Sequence, residues 1–333
     1  MIKSALSHPN KALVIYWGNE NDTLRIPTRS SLSVTLQGIN HPLDYRVSLR
    51  TIGPSERDKV IIDGIEDKGE IRSHFVYHLN AMRRYTGFKE KLEVNTRKSF
   101  PVGSGLAGSA ASASALAEAF AGLIGKTADT RLKSIMARRG SGSASRSVLG
   151  GFVMWQKGKS DDSSYAKQLF DEKHWDLRNI IAMVSSNPKK IRSIEGMKLS
   201  KKTCPEQFYS EFVSVADQHI EQISTAVLKR DIAKVGVFYE KENHLFKQVC
   251  LRTTPPLDYW TKVTDNILNK VANLRNDGIP AYAGTDAGPN VHVFTVAKHV
   301  ERVIRTIQEA EGILDIIHCR VGKGSHLIEE HLI

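Results

Sequence analysis

The chain has 333 residues, of which 41% are hydrophobic and 25% charged, with a formal net charge of +11. Such a length buries a sizeable core and suits two lobes, which excludes a disordered or fibrous chain. The basic balance admits nucleic acid, a polyanionic small molecule or a plain cationic surface. The Lys and Arg residues are spread along the chain without an RNP-like strand or helix-turn-helix, so no nucleic-acid partner is expected.

The apolar-looking stretch from Leu106 to Leu123 is broken by Ser109, Ser112, Ser114 and Glu118, so it fails as a membrane span. The start, MIKSALSHPNK, lacks the apolar core of a signal peptide, and a cytoplasmic protein with no membrane partner is expected. Cys204, Cys250 and Cys319 show no metal-ligand spacing, so no metal site is expected from them.

In chain order, Ala12–Ile15, Ser31–Leu36, Tyr45–Leu49 and Lys59–Ile62 read as strands, by β-branched content or alternation. Ser73–Tyr85 has helical spacing and Leu92–Val94 resembles a strand. Helices follow at Ser109–Leu123 and Ala128–Ala137, then a strand at Gly150–Trp155. Gly158–Ala166 (GKSDDSSYA) reads as a linker or surface loop, and Asn179–Val184 as a buried strand. This divides the chain into lobes at 1–175 and 176–333. The second lobe carries expected helices at Glu206–Leu228, Asp258–Asn276 and Ala297–Glu309, a strand-turn region at Tyr282–Phe294 and a strand at Ile313–Arg320.

Three motifs carry chemistry. In PVGSGLAGSAASASALAEAF, small residues let the backbone approach a ligand while the following helix points free N–H groups at it, a geometry suited to phosphate. Gly103, Gly105 and Gly108 also satisfy the literal dinucleotide fingerprint G-x-G-x-x-G. A second helical stretch, Thr130–Ala137, follows where that fold needs a strand, and the Gly-Lys-Ser/Thr ending of a Walker A loop is missing. A small-residue helix packed tightly on its neighbour reads equally well from this motif alone. In RRGSGSASRS, Arg138–Ser147, alternating Gly and Ser expose N–H groups and hydroxyls, and Arg146 can clamp a carboxylate or phosphate with two prongs. In GTDAGPNVHVF, Asp286 sits in a Gly/Pro-bounded turn, where an Asp also serves simply to satisfy local backbone.

Taken together with YWGNENDTLRIPTRSSLSVTL, IEGM at Ile194–Met197 and CLRTTPPLDYW at Cys250–Trp260, these strings resemble the diphosphomevalonate decarboxylases of the GHMP kinase superfamily, in that family's order. The resemblance implies an α+β, two-lobed GHMP kinase fold, with a ribosomal-protein-S5-like N-terminal lobe and a ferredoxin-like C-terminal lobe, substrate in the cleft and a homodimer. It implies that Asp286 lies against the substrate's C3 oxygen and that Arg146 holds the substrate. Ser141 and Ser143 contact its phosphates, and Tyr16 and Met197 make further contacts. Gly103, Gly105, Gly108 and Ser109 are then a phosphate or vestigial nucleotide loop.

Departures from the family pattern bear on ATP. Ile15 and Asn19 stand where KYWGK has lysines, Asp63-Gly64-Ile65 stands where an arginine is expected, and Gly108 replaces one of two loop serines. The first lysine would lower the pKa of the catalytic Asp and offset charge as a phosphoryl group arrives. Its loss leads to the expectation of an ATP-independent member that uses no cofactor or metal. Such a member eliminates phosphate and CO2 from mevalonate 3,5-bisphosphate to give isopentenyl phosphate. The alternatives are an ATP-dependent phosphomevalonate or diphosphomevalonate decarboxylase with Mg-ATP as co-substrate, its missing cation supplied by Lys189, Lys190 or Arg192, or a mevalonate 3-kinase.

Overall fold

A computed structural model describes residues 1–54, 56–99, 108–185, 187 and 189–333. The chain opens with strands β1 (Ile2–Ser7), β2 (Asn10–Val14), β3 (Asn19–Asn21), β4 (Ile26–Pro27), β5 (Ser31–Gly38), β6 (Tyr45–Ile52), β7 (Lys59–Ile62) and β8 (Ile65–Glu66). Helix α1 (Glu70–Thr86), strand β9 (Lys91–Lys98), helices α2 (Gly108–Leu123), α3 (Thr130–Gly140) and α4 (Ala144–Ser147), and hairpin β10 (Phe152–Trp155) and β11 (Ala166–Phe170) follow. Then come β12 (Leu177–Met183), α5 (Ser193–Thr203), α6 (Glu206–Ser214), α7 (Ala216–Leu228), α8 (Ile232–Arg252) and α9 (Lys262–Leu274). The chain finishes with β13 (Tyr282–Thr285), β14 (Val291–Val296), a 3-10 turn at Ala297–His299, α10 (Val300–Gln308), β15 (Asp315–Val321) and β16 (His326–Ile328).

Two large sheets organise these elements. One runs β16-β1-β6-β9-β7-β8; the other runs β11-β10-β5-β15-β12-β14-β13, with β2 also paired to β5. Strand β5 is the joint. It is antiparallel to β10 and β2 over its first half and to β15 over Leu36–Gly38, so the second sheet crosses without a break from the N-terminal to the C-terminal part. The division expected at 175/176 falls between β11 and β12, and the chain end returns across it to pair β16 with β1.

The sequence expectations depart from the fold at several places. The helix expected over Glu206–Leu228 is two helices that meet at Val215. Helix α9 begins at Lys262 rather than Asp258, because Thr261 and Thr264 close a reciprocal N-terminal cap there. The loop expected over Gly158–Ala166 ends in a strand, β11, that returns antiparallel to β10. Helices α5 and α8 and strands β1 and β16 had no counterpart in the sequence reading.

Packing explains why the cleft sits where it does. Helix α2 is nearly all alanine and serine, and Ala110, Ala111, Ala115, Ala117, Ala119 and Ala121 are fully buried. With so little side chain, its axis lies close to the sheet, and Ser114 bonds Ser7 of β1 at 2.6 Å. Its one acidic side chain, Glu118, is buried against Lys133 at 3.0 Å and accepts from Ser325 at 2.8 Å. The tight-packing reading and the ligand reading of this motif are both met, since the helix's first turn opens into the cleft.

Behind the segment that follows β2 lies a buried charge triad. Glu242 of α8 takes a two-pronged bond from Arg29 (2.9 and 3.2 Å), pairs with His219 at 2.5 Å and accepts from the Ile15 amide at 3.1 Å. Burial opposes ionisation of Glu242, but His219 and Arg29 outweigh it and hold the carboxyl below its ordinary range.

Candidate active site

A cleft of about 730 Å³ is lined by residues from both parts of the chain. Tyr16, Gly108 and Ser109 lie on its wall with Ser141 and Ser143; Arg146, Met197 and Asp286 complete it. Gly103 and Gly105 lie outside the described residues. Every described candidate from the motifs is therefore brought to one cavity.

At one end, hydroxyls converge around the start of α2. Ser141 donates to Ser109 at 3.4 Å and lies 3.5 Å from Ser143. Ser141 ends α3, Ser143 precedes α4, and Ser109 sits in the first turn of α2, a 16-residue helix with no acidic residue in that turn. Free N–H groups and three hydroxyls thus share a small volume, a surface complementary to phosphate. Gly142 must lack a side chain, because a Cβ there would come within 2.7 Å of the Tyr16 ring. Tyr16 also packs on Trp155 with ring centroids 4.8 Å apart and donates to Asn19 Oδ1 at 2.6 Å. Burial pushes its pKa up to about 12, so it is a neutral donor.

Arg146 lies deeper and is almost fully buried. Its Nε donates to Ser33 at 2.9 Å and its Nη2 to Asn10 Oδ1 at 3.1 Å, while Nη1 meets Ser31. These acceptors are all neutral, and no carboxylate is bonded to it among the described residues. Burial lowers its pKa to about 10, which still leaves it charged at neutral pH. A buried guanidinium bonded only to neutral groups, with the Asp286 charge acting on it from a distance, leaves room in the cleft for an anionic ligand.

Asp286 lies in the turn between β13 and β14, with its side chain 31% exposed to the cleft. Its partner is Lys11 of β2, fully buried, whose Nζ donates to Asp286 Oδ1 at 2.6 Å and to the Thr285 carbonyl at 2.9 Å. Burial raises the Asp286 pKa, but Lys11, helped by Lys189, more than offsets it, so the carboxyl lies below its ordinary range. His292 Nε2 is 3.9 Å from Asp286 Oδ2, and its Nδ1 is 3.0 Å from Asn179 Oδ1. Burial and Lys11 push His292 down to about 3, which leaves it neutral.

Lys11 and His292 are the site residues that motif reading missed. The ladder between β2 and β5 slips between Ala12 and Val14, so alternation along the strand does not carry from Lys11 to position 15. Ile15 instead packs with Trp17, Met197, Phe246 and Ala287 in an apolar cluster that forms part of the cleft wall. Of the cations proposed as replacements, Lys189 lines the cleft and donates to Ser193 at 3.2 Å. Arg192 also lines it but pairs with Glu70, and Lys190 is exposed and absent from the lining. Asp63 and Gly64 form the turn between β7 and β8, with Ile65 exposed, so none of these three supplies the expected cation, although Lys98 of β9 lines the cleft within reach of the Asp63 charge.

Residues 7–166 match the family model for the diphosphomevalonate decarboxylase-like N-terminal domain, and residues 179–325 that for the mevalonate 5-diphosphate decarboxylase C-terminal domain. A diphosphomevalonate decarboxylase of Ganoderma lucidum is 30% identical over 319 residues, covering 90% of this chain and 79% of that protein. Mevalonate diphosphate decarboxylase from Staphylococcus aureus superposes with a TM-score of 0.91 at 30% identity, covering 99% of each chain. A second neighbour, MDDEF in complex with MVAPP, AMPPCP and magnesium, gives a TM-score of 0.90 at 28% identity, again over 99% of each chain.

That second structure holds an ATP analogue with its metal in the same fold, and it overturns the expectation of a reaction without ATP or any cofactor. The physical premise of that expectation also fails, because the cation missing at position 15 is present as Lys11, bonded to the same carboxylate. The cleft, the Asp286 turn and the Gly/Ser loops occur in a mixed α and β, two-lobed GHMP kinase fold. With both family models matched and a 30% identical relative spanned over most of its length, the chain belongs to the diphosphomevalonate decarboxylase family.

Proposed function

We propose that this protein is an ATP-dependent decarboxylase of a mevalonate phosphorylated at C5, acting in the cytoplasm as a homodimer without nucleic-acid or membrane partners. The observation that carries the reading is the buried Lys11–Asp286 pair at 2.6 Å, opposite the hydroxyls of Ser109, Ser141 and Ser143 in one cleft. Among the described residues no helix is long and apolar enough to cross a membrane.

In this reading Mg-ATP, when bound, supplies the phosphoryl group that turns the C3 hydroxyl into a leaving group. The Ser109 and Ser112 hydroxyls and the first N–H groups of α2 would hold its phosphates. Magnesium is usually kept by one or two carboxylates, phosphate oxygens and water, and Asp286 is the carboxylate among the described residues that line the cleft. Ionised Asp286 accepts the proton of the C3 hydroxyl, and Lys11 limits the charge that builds beside it. Arg146 holds the C1 carboxylate and draws phosphate oxygens. The C3–O bond then breaks, the C1–C2 electron pair becomes the C2–C3 double bond, and phosphate and CO2 leave. Asp286 passes that proton to water in the cleft before the C3–O bond breaks, so its ionised carboxylate can stabilise positive charge developing at C3. Tyr16, Ser141, Ser143 and Met197 shape the remaining substrate contacts, and the segments 1–175 and 176–333 act as the two lobes that supply them.

Purified protein given Mg-ATP with 5-phosphomevalonate, and separately with 5-diphosphomevalonate, is expected to release CO2, phosphate and ADP in equal amounts from at least one of them. CO2 release from mevalonate 3,5-bisphosphate alone, with no ADP formed from either other substrate, would overturn the reading. Sedimentation of the same sample tests the dimer.

A further inference from the structure

Asn19 stands where the family pattern has a lysine, and a cation enters the same region from the adjoining turn. Arg25 ends the turn between β3 and β4 in a left-handed conformation, with φ 53°. It lines the cleft beside Gly140, Ser141 and Gly142. Its Nε donates to the Arg139 carbonyl at 3.1 Å, which fixes the plane of the guanidinium, and no group among the described residues accepts from its two terminal nitrogens.

Nearby carboxylates are otherwise engaged. Asp22, on the same turn, accepts from Asn19 Nδ2 at 3.0 Å and lies 3.6 Å from Lys198. Asp161 takes both Arg138 and Arg139. Across from Arg25 stand Tyr16 and His74, which both feel its charge and neither of which is an anion at neutral pH. An arginine held by its Nε, with both prongs open beside serine hydroxyls, matches the paired oxygens of a phosphate.

We propose that Arg25 binds the 5-phosphate of the substrate and stands in for the cation absent at position 19. The proposal rests on the substrate class given under Proposed function. It makes Arg25 a binding residue that acts on substrate capture rather than on the bond-breaking steps at C3, where Asp286 and Arg146 lie.

The test is titration calorimetry of 5-phosphomevalonate, 5-diphosphomevalonate and unphosphorylated mevalonate against wild type, Arg25→Gln and Arg25→Lys, with kcat and KM measured alongside. Arg25→Gln should weaken binding of the phosphorylated ligands about 10- to 100-fold, the range of a lost charge-assisted bond. It should raise KM with kcat held within about threefold and leave mevalonate unaffected, and Arg25→Lys should recover part of the loss. Melting temperatures separate this from misfolding, since Gln keeps an amide that can reach the Arg139 carbonyl. Equal losses for mevalonate and its phosphates, or phosphate-ligand binding within about twofold of wild type, would overturn the proposal. Binding needs no ATP, so a wild type that binds 5-phosphomevalonate without turning it over sinks only the functional reading; one that binds neither phosphorylated ligand sinks both.

Discussion

Replacing Lys11 with Met tests the center of the mechanism. Methionine keeps much of the apolar stem in a fully buried position, so the change removes a charge more than a volume. What is lost is the 2.6 Å charge-assisted bond to Asp286 and the bond to the Thr285 carbonyl. A bond of this class contributes about 1.5–3 kcal/mol, and the lower part of that range applies because Asp286 still meets water in the cleft. That corresponds to roughly a 10- to 40-fold loss in kcat. The sign of the pH effect follows from the carboxylate. In the wild type Asp286 ionises below the ordinary range, and activity is lost only as pH falls through that lowered value. Without Lys11 the burial of Asp286 is less opposed, so the acid limb of the kcat profile moves to higher pH. Steady-state rates across the acid limb, for wild type, Lys11→Met and Asp286→Asn, supply the measurement. A Lys11→Met enzyme with kcat within about twofold of wild type and an unmoved acid limb would refute the reasoning.

Three other substitutions probe the support around the site. Gly142→Ala places a Cβ at 2.7 Å from the Tyr16 ring, so Tyr16 must shift; KM for the phosphorylated substrate should rise about tenfold or more, read by steady-state kinetics. Glu242→Gln leaves Arg29 buried without its counter-charge and should cost about 3–5 kcal/mol in urea denaturation. Because the Glu242 carboxyl is held below its ordinary range, its contribution is present above the unfolded-chain carboxylate pKa and fades as pH falls through the lowered folded value; the variant's stability should show a flatter acid limb than wild type. Ile15→Lys forces a second ammonium into the cluster of Trp17, Phe246 and Met197 and should lower thermal stability without raising kcat, which differential scanning calorimetry and a rate assay decide together.

Much of the site was legible because its residues sit in short motifs whose backbone demands are local. Ser141, Gly142 and Ser143 in one string, Ser109 at the start of α2 and the Asp286 turn are each encoded within a short stretch of their own. Lys11 was hidden for a different reason. Reading family strings position by position treats Ile15 as a lost cation, whereas the requirement is a charge at a point in space, and a neighbouring position on a slipped strand meets it. His292 belongs to a strand that reads as plain apolar alternation, and its partner Asn179 comes from another strand 113 residues away. Helix α8 escaped because Gly236 and Glu242 interrupt its apolar stripe; the buried triad on Glu242 and the close approach of Tyr282 to Gly236 explain both residues only once the fold is known. The same long-range logic applies to the ATP question, which turned on a contact spanning 275 positions.

Strand β5 sets a mechanical condition on turnover. Ser31 and Ser33, which accept from Arg146, are buried on the strand that joins the second sheet across the molecule through Leu36–Gly38. A rigid-body hinge between the two halves would have to shear that ladder. The exposed pair of Arg192 and Glu70 is a different kind of link: it ties the start of α5 to the first turn of α1, where an ion pair between solvated side chains contributes little and parts without shearing a ladder.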